Sequence, residues 1–343
     1  MGSEVKKQVR EFYDQVGWQM VGEGRTEHDS GGQELRYQNA RYEDLRPVAR
    51  EYIQRCHMRV ARHLKSDGRY LLDAGSGPIQ YPEYLEYSKG YRYRVCADIS
   101  ITALKEARKR IGEHGLYVVA DIADLPFKAN AFDGVVSLHT IHHLPEQEHL
   151  LAYQELYRVL AQERTAVVVN GWSSPPLTRL LEAPLRWRRR WLGSNSGLRK
   201  LRQKIWRLRR LPRLGTNVSN SGSGRNVSNS SHSVPAAGPD ESFDNPSTSS
   251  GCLPRMPGSL QGCDPKGTFV QKNNAAWLKR ALGQQMALEI LVWRSISVRF
   301  LRAYIHPRLA GRWWLRQLYG LEERFPHFFG EYGQYPLIVI RKS

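Results

Sequence analysis

The segment from Tyr70 to Pro78 joins a short apolar run to an acid and two glycines. Glycine lets a backbone turn approach a ligand closely, and a helix after such a turn offers free N–H groups. The turn Gly75-Ser76-Gly77 lacks the third glycine of a nicotinamide-binding fingerprint, because Gln80 stands in its place. The segment therefore predicts a site for another nucleotide-like ligand, with a strand-to-helix turn that binds nothing as the alternative.

Two further acids stand at the ends of the next β-type runs. Asp98 ends the run that begins at Tyr91 and lies 21 residues after Gly77, where a carboxylate can accept two hydrogen bonds from a ribose diol. Asp121 follows a third run of the same kind, at 116–120. Both acids could instead be helix caps or turn formers. Their intervals favour a binding site for a nucleotide-like ligand.

Three histidines, His139, His142 and His143, follow a fourth run, Phe132–Leu138. The carboxyl edge of an open α/β sheet is where such sheets hold their ligands, and a neutral imidazole can take a proton from a hydroxyl or an amine. Packing or a hydrogen bond to the loop is the alternative role. We predict no metal site, because no nearby carboxylate or cysteine completes a ligand set.

The elements that must position these residues alternate along the chain. Strand-like and helical runs in alternation predict an α/β protein whose parallel sheet is covered on both faces. Before them, apolar residues spaced three and four apart predict N-terminal helices over 5–16 and 48–64. The predicted strands are 70–73, 91–97, 116–120, 132–138, 165–170, 286–292 and 335–340, and the predicted helices between them lie near 81–88, 101–111 and 146–161.

With these motifs the chain resembles the class I S-adenosylmethionine-dependent methyltransferases, in particular the broad methyltransferase-domain type 11 group that includes quinone and small-molecule methylating enzymes. The resemblance covers Tyr70 to about Trp172. It implies a Rossmann-like, seven-stranded, mostly parallel sheet with an antiparallel last strand, and S-adenosyl-L-methionine as methyl donor. One departure is Ile79, which stands where the family commonly has glycine.

The resemblance also implies roles for individual residues. It places the cofactor's amino-acid end at the glycine turn, the ribose hydroxyls at the acid after the second strand, and the adenine at the next acid and its neighbours. The implied cofactor-binding residues are Asp73, Gly75, Ser76, Gly77, Asp98, Ile99, Asp121 and Ile122. Tyr13 matches an aromatic-acid motif that helps to close the site in many quinone-type relatives, and packing on a helix face is the equal alternative.

Composition divides the 343 residues into five segments. A stretch dominated by Ser, Asn, Gly and Pro cannot bury enough apolar surface to offset its ordering entropy, so we predict that it is disordered. The predicted segments are a helical N-terminal cap (1–69), the S-adenosylmethionine-binding core (70–175), a basic amphipathic helical insertion (176–214), the disordered linker (215–267) and a C-terminal completion of the sheet with a helical lid (268–343).

The formal charge of +18 at pH 7 is concentrated in one segment. Between Pro176 and Leu214 stand 13 basic residues and one acid, and Leu198, Leu201, Ile205 and Leu208 have helical spacing among them. Such a helix, at 198–210, suits an anionic membrane surface and a lipid or quinone acceptor. RNA is a weaker alternative because the chain has no recognised RNA module, and docking on its own domain is a third.

The remaining features concern location and function class. No run of about 18 apolar residues is present, the N-terminus lacks the order of a signal peptide, and the four cysteines form no CxxC pair. We therefore expect a reduced, cytoplasmic protein, peripheral at the membrane surface. The predicted function is methyl transfer from S-adenosylmethionine to an unidentified small-molecule or lipid-like acceptor. The alternatives are an RNA (tRNA-modifying) methyltransferase and a non-catalytic S-adenosylmethionine-binding protein.

Overall fold

The computed structural model describes residues 2–22, 35–187 and 268–343. Residues 1–183 and 259–343 form one compact unit, whereas 184–258 form a second, of which only 184–187 are described. The predicted basic helix at 198–210 and the predicted disordered linker at 215–267 lie outside the described residues. The five predicted segment boundaries stay predictions.

Nine strands occur in the described residues. Two short strands, β1 (Met20–Gly22) and β2 (Leu35–Tyr37), pair antiparallel with each other inside the predicted helical N-terminal cap. The other seven form one sheet, and they are β3 (Gly68–Ala74), β4 (Tyr91–Asp98), β5 (Gly115–Val119), β6 (Phe132–Leu138), β7 (Leu160–Val169), β8 (Ala287–Arg294) and β9 (Tyr335–Arg341).

The order of strands in the sheet is β5-β4-β3-β6-β7-β9-β8. The five strands from β5 to β7 are parallel, and β9 is antiparallel to both of its neighbours, β7 and β8. This arrangement confirms the predicted Rossmann-like sheet with its antiparallel last strand. The chain moves outward from β3 to β5 on one side and then resumes at β6 on the other, so the point where the topology switches lies between β3 and β6.

The helices flank this sheet. They are α1 (Gly2–Phe12), α2 (Arg50–Met58), α3 (Ile101–Ile111), α4 (Glu146–Val159), α5 (Pro176–Leu181), α6 (Ala275–Leu282), α7 (Val298–Tyr304), α8 (Gly311–Arg324) and α9 (Pro326–Tyr332). The structure differs from the predicted pattern in several places, among them the predicted helix over 48–64, which is α2 followed by a separate 3₁₀ helix at Val60–His63. The predicted first helix ends at Phe12 and continues as a π-helical turn to Gly17. The predicted helix near 81–88 is a 3₁₀ helix that begins at Pro82, and α4 ends two residues early because Leu160 already pairs with β6.

The core lies on both faces of the sheet. Successive side chains of a strand point to opposite faces, so Leu71 packs in the cluster that contains α2 and α8 while Leu72 packs in the cluster that contains α4 and α6. Val167 and Val168 divide in the same way. Because both faces are covered, the strands are continuously apolar rather than alternating. In the described parts of the chain, no helix is long and apolar enough to cross a membrane.

Candidate active site

The turn after β3 brings two glycines to the carboxyl edge of the sheet. Gly75 and Gly77 have positive φ angles of 73° and 56°. The N–H groups of Gly75 and Ser76 donate to the carbonyl of Ala97 at the end of β4, at 2.7 and 3.3 Å. A Cβ on Gly75 would lie 2.2 Å from Cγ2 of Thr140, which follows β6. Position 75 therefore admits only glycine, and the turn is fixed across the switch point of the sheet.

The position where relatives commonly have glycine keeps a glycine-like backbone. Ile79 has a φ of 55° and is only 1% exposed. A β-branched residue rarely adopts this left-handed conformation, because its side chain crowds the backbone. Packing of the buried side chain offsets the strain.

Asp98 accepts hydrogen bonds from both sides of this turn. Its Oδ2 accepts from the N–H of Gly77 at 2.9 Å, and its Oδ1 accepts from the N–H of Ser100 at 2.8 Å. Burial raises the pKa of Asp98 to about 6. The two N–H donors lower this pKa, and the nearby carboxylates of Asp73 and Asp14 raise it by smaller amounts. Each carboxylate oxygen has a further lone pair, so the group remains able to accept hydrogen bonds from a diol.

Asp73 lies inside the core and already has a partner. The Nε of Arg94 donates to its Oδ2 at 3.0 Å, and Nη2 of the same arginine bonds to the same oxygen. Arg94 is completely buried and its Nη1 donates to the carbonyl of Tyr84. The pair fixes β3 to β4 beneath the glycine turn. Arg94 holds the carboxylate through Oδ2. The predicted contact between Asp73 and the cofactor's amino-acid end stays a prediction.

The residues predicted to contact adenine follow the neighbouring strands. Asp121 lies after β5, accepts from the N–H of Ala123 at 2.9 Å and forms an ion pair with Lys6 of α1. Ile122 is buried in the core, and Ile99 is half-buried beside Asp98. The edge of the sheet thus brings the predicted ribose and adenine residues into one row. Sequence patterns gave no sign of Lys6.

The N-terminal segment covers this edge. The hydroxyl of Tyr13 donates to Nε2 of His143 at 2.9 Å, and its ring stacks on Trp18 with centroids 4.9 Å apart. The Trp18 ring lies over the glycine turn, since a Cβ on Gly77 would be 3.3 Å from it. The hydroxyl of Ser100, the N-cap of α3, donates to Asp14. The structure therefore places Tyr13 at the site itself rather than on a remote helix face.

The three predicted histidines differ in their hydrogen bonds. In His143, Nδ1–H donates to the carbonyl of Phe269 at 2.8 Å, so Nε2 is the atom that accepts from Tyr13. In His142, Nδ1–H donates to Oδ1 of Asn170, which leaves Nε2 with a lone pair and no protein donor among the described residues. His139 packs by its ring against Trp293, with centroids 4.9 Å apart.

All three imidazoles are neutral near pH 7. Burial lowers the pKa of His139 to about 3 and the pKa of His143 to about 4, and it lowers the pKa of His142 well below its usual value. The positive charge of Lys272 lowers each of these pKa values further. A neutral imidazole with a free lone pair is able to accept a proton, and of the three only His142 has one nitrogen oriented by a partner and the other open.

The chain after the undescribed segment packs directly on these histidines. The N–H of Gln271 donates to the carbonyl of His142 at 2.7 Å, and the carbonyl of Asn273 accepts from Ser173 at 2.9 Å. The side chain of Gln271 donates to Glu146 at the start of α4. This short segment therefore joins the loop after β6 to the loop after β7.

Lys272 lies between those two anchored residues. Its side chain reaches the loop after β7, where a Cβ on Gly171 would be 3.2 Å from Nζ. Burial lowers the pKa of Lys272, and no described residue forms an ion pair or hydrogen bond with it. A single lysine after a low-complexity stretch gives no sequence signal, so this residue escaped prediction.

The site fits the predicted cofactor by its chemistry. Two glycines leave the turn without side chains where a ligand must approach the backbone, and neither position tolerates a Cβ without displacing a neighbour. The carboxylate of Asp98 stands beside them with free acceptor capacity for a ribose. These groups would hold the nucleoside, while the histidines and Lys272 lie at the ends of β6 and β7, on the far side of the glycine turn.

Comparisons with known proteins agree with this geometry. Residues 72–168 match the family model described as a methyltransferase domain, and this range contains the glycine turn, Asp98, Asp121 and the three histidines. No curated protein sequence matches the chain.

Several solved structures are similar to parts of the chain. A candidate methyltransferase of Bacillus halodurans is 24% identical over 35% of this chain and 51% of its own length, with a TM-score of 0.31. The YcgJ protein of Bacillus subtilis is 12% identical over 85% of this chain and 99% of its own, with a TM-score of 0.41. Phosphoethanolamine N-methyltransferase 1 of Haemonchus contortus, solved with phosphoethanolamine and S-adenosylhomocysteine, is 14% identical over 51% of this chain and 33% of its own, with a TM-score of 0.37.

The chain therefore spans about half the length of the Bacillus halodurans protein and a third of the Haemonchus contortus protein. The match over 72–168 coincides with the parallel part of the sheet and with the turn that follows β3. Residues 72–168 of this chain are therefore similar to a methyltransferase domain, and they lie in a Rossmann-like sheet.

Proposed function

We propose that the protein transfers the methyl group of S-adenosylmethionine to a small-molecule or lipid-like acceptor held at the carboxyl ends of β6 and β7. The observation that carries the proposal is the polar cluster there, in which His142 and Asn170 are buried next to the half-buried Lys272. S-adenosylmethionine brings a methyl group that its sulfonium has already activated. The residues of the protein therefore have to align the acceptor and exclude water.

The enclosure of this cluster favours a compact acceptor. Tyr13 covers it from the N-terminal segment, and the segment at 268–272 covers it from the other side. An RNA would have to flip a nucleotide out of its stack to place a base there, which costs unstacking energy. A small molecule, or the head of a lipid, needs far less room. The unpartnered Lys272 adds a preference for an acceptor with a negative charge.

Within this proposal His142 is the general base. Asn170 holds the tautomer that carries its proton on Nδ1, so Nε2 presents its lone pair, and the lowered pKa keeps that lone pair free at neutral pH. His143 has both nitrogens in hydrogen bonds to Phe269 and Tyr13 and orients the covering segment instead. His139 contributes ring packing.

We expect His142→Ala to lower turnover about 100-fold on an acceptor that must lose a proton, which is the usual contribution of a positioned base. His143→Ala removes the neighbouring, partly buried histidine, and it is expected to lower turnover less than tenfold and to act mainly on KM. The measurement is the rate of labelled methyl incorporation into the acceptor fraction of a lysate. Equal losses in the two variants would contradict the assignment of the base.

The acceptor class is tested by supplying methyl-labelled S-adenosylmethionine and the purified protein to a lysate. Label is then measured in the organic-extractable, small polar, RNA and protein fractions, with Asp98→Ala as the inactive control. We expect label in the organic or small polar fraction. Label in RNA would replace the proposal by RNA methylation, and bound cofactor with no label in any fraction would favour a non-catalytic binding protein.

Peripheral association with an anionic membrane is part of the proposal for a lipid-like acceptor. The basic segment at 198–210, on which the prediction was based, lies outside the described residues. Its charge and its helical spacing of apolar residues support the association, and RNA is the alternative partner.

A further inference from the structure

A groove with a volume of about 650 Å³ lies where the start of α8 meets the segment before α2. Three arginines line it, Arg46, Arg312 and Arg316, together with Trp313. Its lining residues all belong to the described part of the chain, and none of them is acidic. The groove is thus a basic, aromatic-walled site separate from the residues of the methyltransferase site.

Two of the arginines are held in place by carboxylates outside the groove. Arg46 bonds to Asp44 through Nε and Nη2 at 2.8 and 2.7 Å, and Arg316 bonds to Glu51 through Nη2 at 2.9 Å. In both arginines Nη1 has no hydrogen-bond partner among the described residues. The two guanidinium groups are therefore oriented and still have donors to offer, as a phosphate requires.

The third arginine supplies uncompensated charge. Neither Arg312 nor Arg308, which stands in the turn before α8, has an ion pair or hydrogen bond with any residue in the described ranges. The two carboxylates nearby, Asp44 and Glu51, each neutralise one arginine. A net positive charge of two is left around the groove, so a monoanionic or dianionic group complements it.

Large apolar side chains stand exposed on the rim of this groove. Leu309, Trp313 and Trp314 are 65%, 52% and 58% exposed, and the two indole rings meet edge to face with centroids 4.7 Å apart. Ala310 has a φ of 52° and links Leu309, at the end of the preceding turn, to α8, which carries the two tryptophans. Exposed apolar clusters of this kind mark interaction sites, and tryptophan is the residue most typical of the membrane interface.

We infer that this groove binds the phosphate of an anionic phospholipid, with Leu309, Trp313 and Trp314 inserted among the headgroups of the same bilayer. The arginines complement the headgroup charge, and the three apolar side chains gain by leaving water for the interface. An RNA partner would use the tryptophans for stacking but would leave Leu309 exposed, because an aliphatic side chain has no ring to stack on. The surface is independent of the methyl-transfer proposal and of the segment at 198–210.

The test is flotation of the full-length chain with vesicles of phosphatidylcholine and phosphatidylserine, and with vesicles of phosphatidylcholine alone, at low and high salt. The variant Arg312→Gln/Trp313→Ser is expected to bind the anionic vesicles at least about tenfold more weakly than the unaltered chain. The control Arg280→Gln/Phe328→Ser removes one exposed arginine and one exposed aromatic ring from α6 and α9, and it should bind as the unaltered chain does. Thermal unfolding verifies that both variants are folded.

Because the segment at 198–210 could bind vesicles by itself, the comparison is repeated in a chain whose seven basic residues there are glutamine. Equal binding of the two double variants in both backgrounds would overturn the inference. The inference would also be overturned if Arg312→Gln/Trp313→Ser kept its binding to vesicles but lost binding to total RNA, because the groove would then be a site for RNA. No cofactor is present in the assay, so a failure of methyl transfer leaves this result unaffected.

Discussion

Asp98→Ala is expected to weaken S-adenosylmethionine binding about 1,000-fold, since two hydrogen bonds from a ribose to a charged acceptor contribute about 1.5–3 kcal/mol each. The carboxylate is held toward the ligand edge by the N–H groups of Gly77 and Ser100, so it is oriented before the cofactor arrives. Calorimetric titration with the cofactor measures the loss. An affinity within tenfold of the unaltered protein would show that the ribose binds elsewhere.

The pH dependence separates this role from a structural one. Because burial raises the pKa of Asp98 to about 6, the carboxylate is mostly protonated at pH 5, and cofactor affinity should be about tenfold lower there than at pH 7. The effect on stability has the opposite sign. The native protein binds the proton more tightly than the unfolded chain, so the contribution of this group to the free energy of unfolding rises as pH falls from about 6.

Asp98→Asn is the matched control for both curves. It preserves the size of the side chain and one acceptor oxygen but has no titratable group, so its weaker affinity should not change between pH 5 and pH 7. The free energy of unfolding of Asp98→Asn should also lack the increase that Asp98 contributes as pH falls. An affinity of the unaltered protein that does not change across this range would contradict the role of an ionised Asp98, whatever the substitution does.

The sheet could be predicted because its signals are local. Strands buried on both faces are continuous apolar runs, and the first residues past them are the polar groups that reach the edge of the sheet. Asp98 stands at such a strand end, and the three histidines follow another. The turn at 75–77 was visible for the same reason, since a positive φ requires glycine in most sequences.

What escaped prediction consists of contacts between distant parts of the chain. Lys6 reaches Asp121 across 115 positions, and Tyr13 reaches His143 across 130. Neither contact leaves a periodicity in the sequence, because each depends on how α1 packs on the completed sheet. Lys272 was missed for a related reason. Its role depends on the anchoring of its two neighbours to loops that are remote in sequence.

The second large effect is expected on stability, because the turn after β3 has no room for a side chain at Gly75. Gly75→Ala is expected to lower the free energy of unfolding by about 4 kcal/mol, of which left-handed backbone strain accounts for about 1 kcal/mol and the collision with Thr140 for the rest. The collision follows from the 2.2 Å between the added Cβ and Cγ2 of Thr140. Cofactor binding should also be lost, because the Gly75 N–H can no longer reach the carbonyl of Ala97.

Two comparisons divide this cost into its parts. Gly112 has a φ of 63°, but a Cβ there would meet no atom within 4 Å, so Gly112→Ala carries the strain alone and should cost about 1 kcal/mol. Adding Thr140→Gly to Gly75→Ala removes the atoms in collision and should recover about 2 kcal/mol relative to the sum of the single variants. Chemical denaturation measures the unaltered protein, the three single variants and the double variant. Equal costs for Gly75→Ala and Gly112→Ala would mean that the turn yields freely, and the close approach of β3 to the loop after β6 would then have no part in shaping the cofactor site.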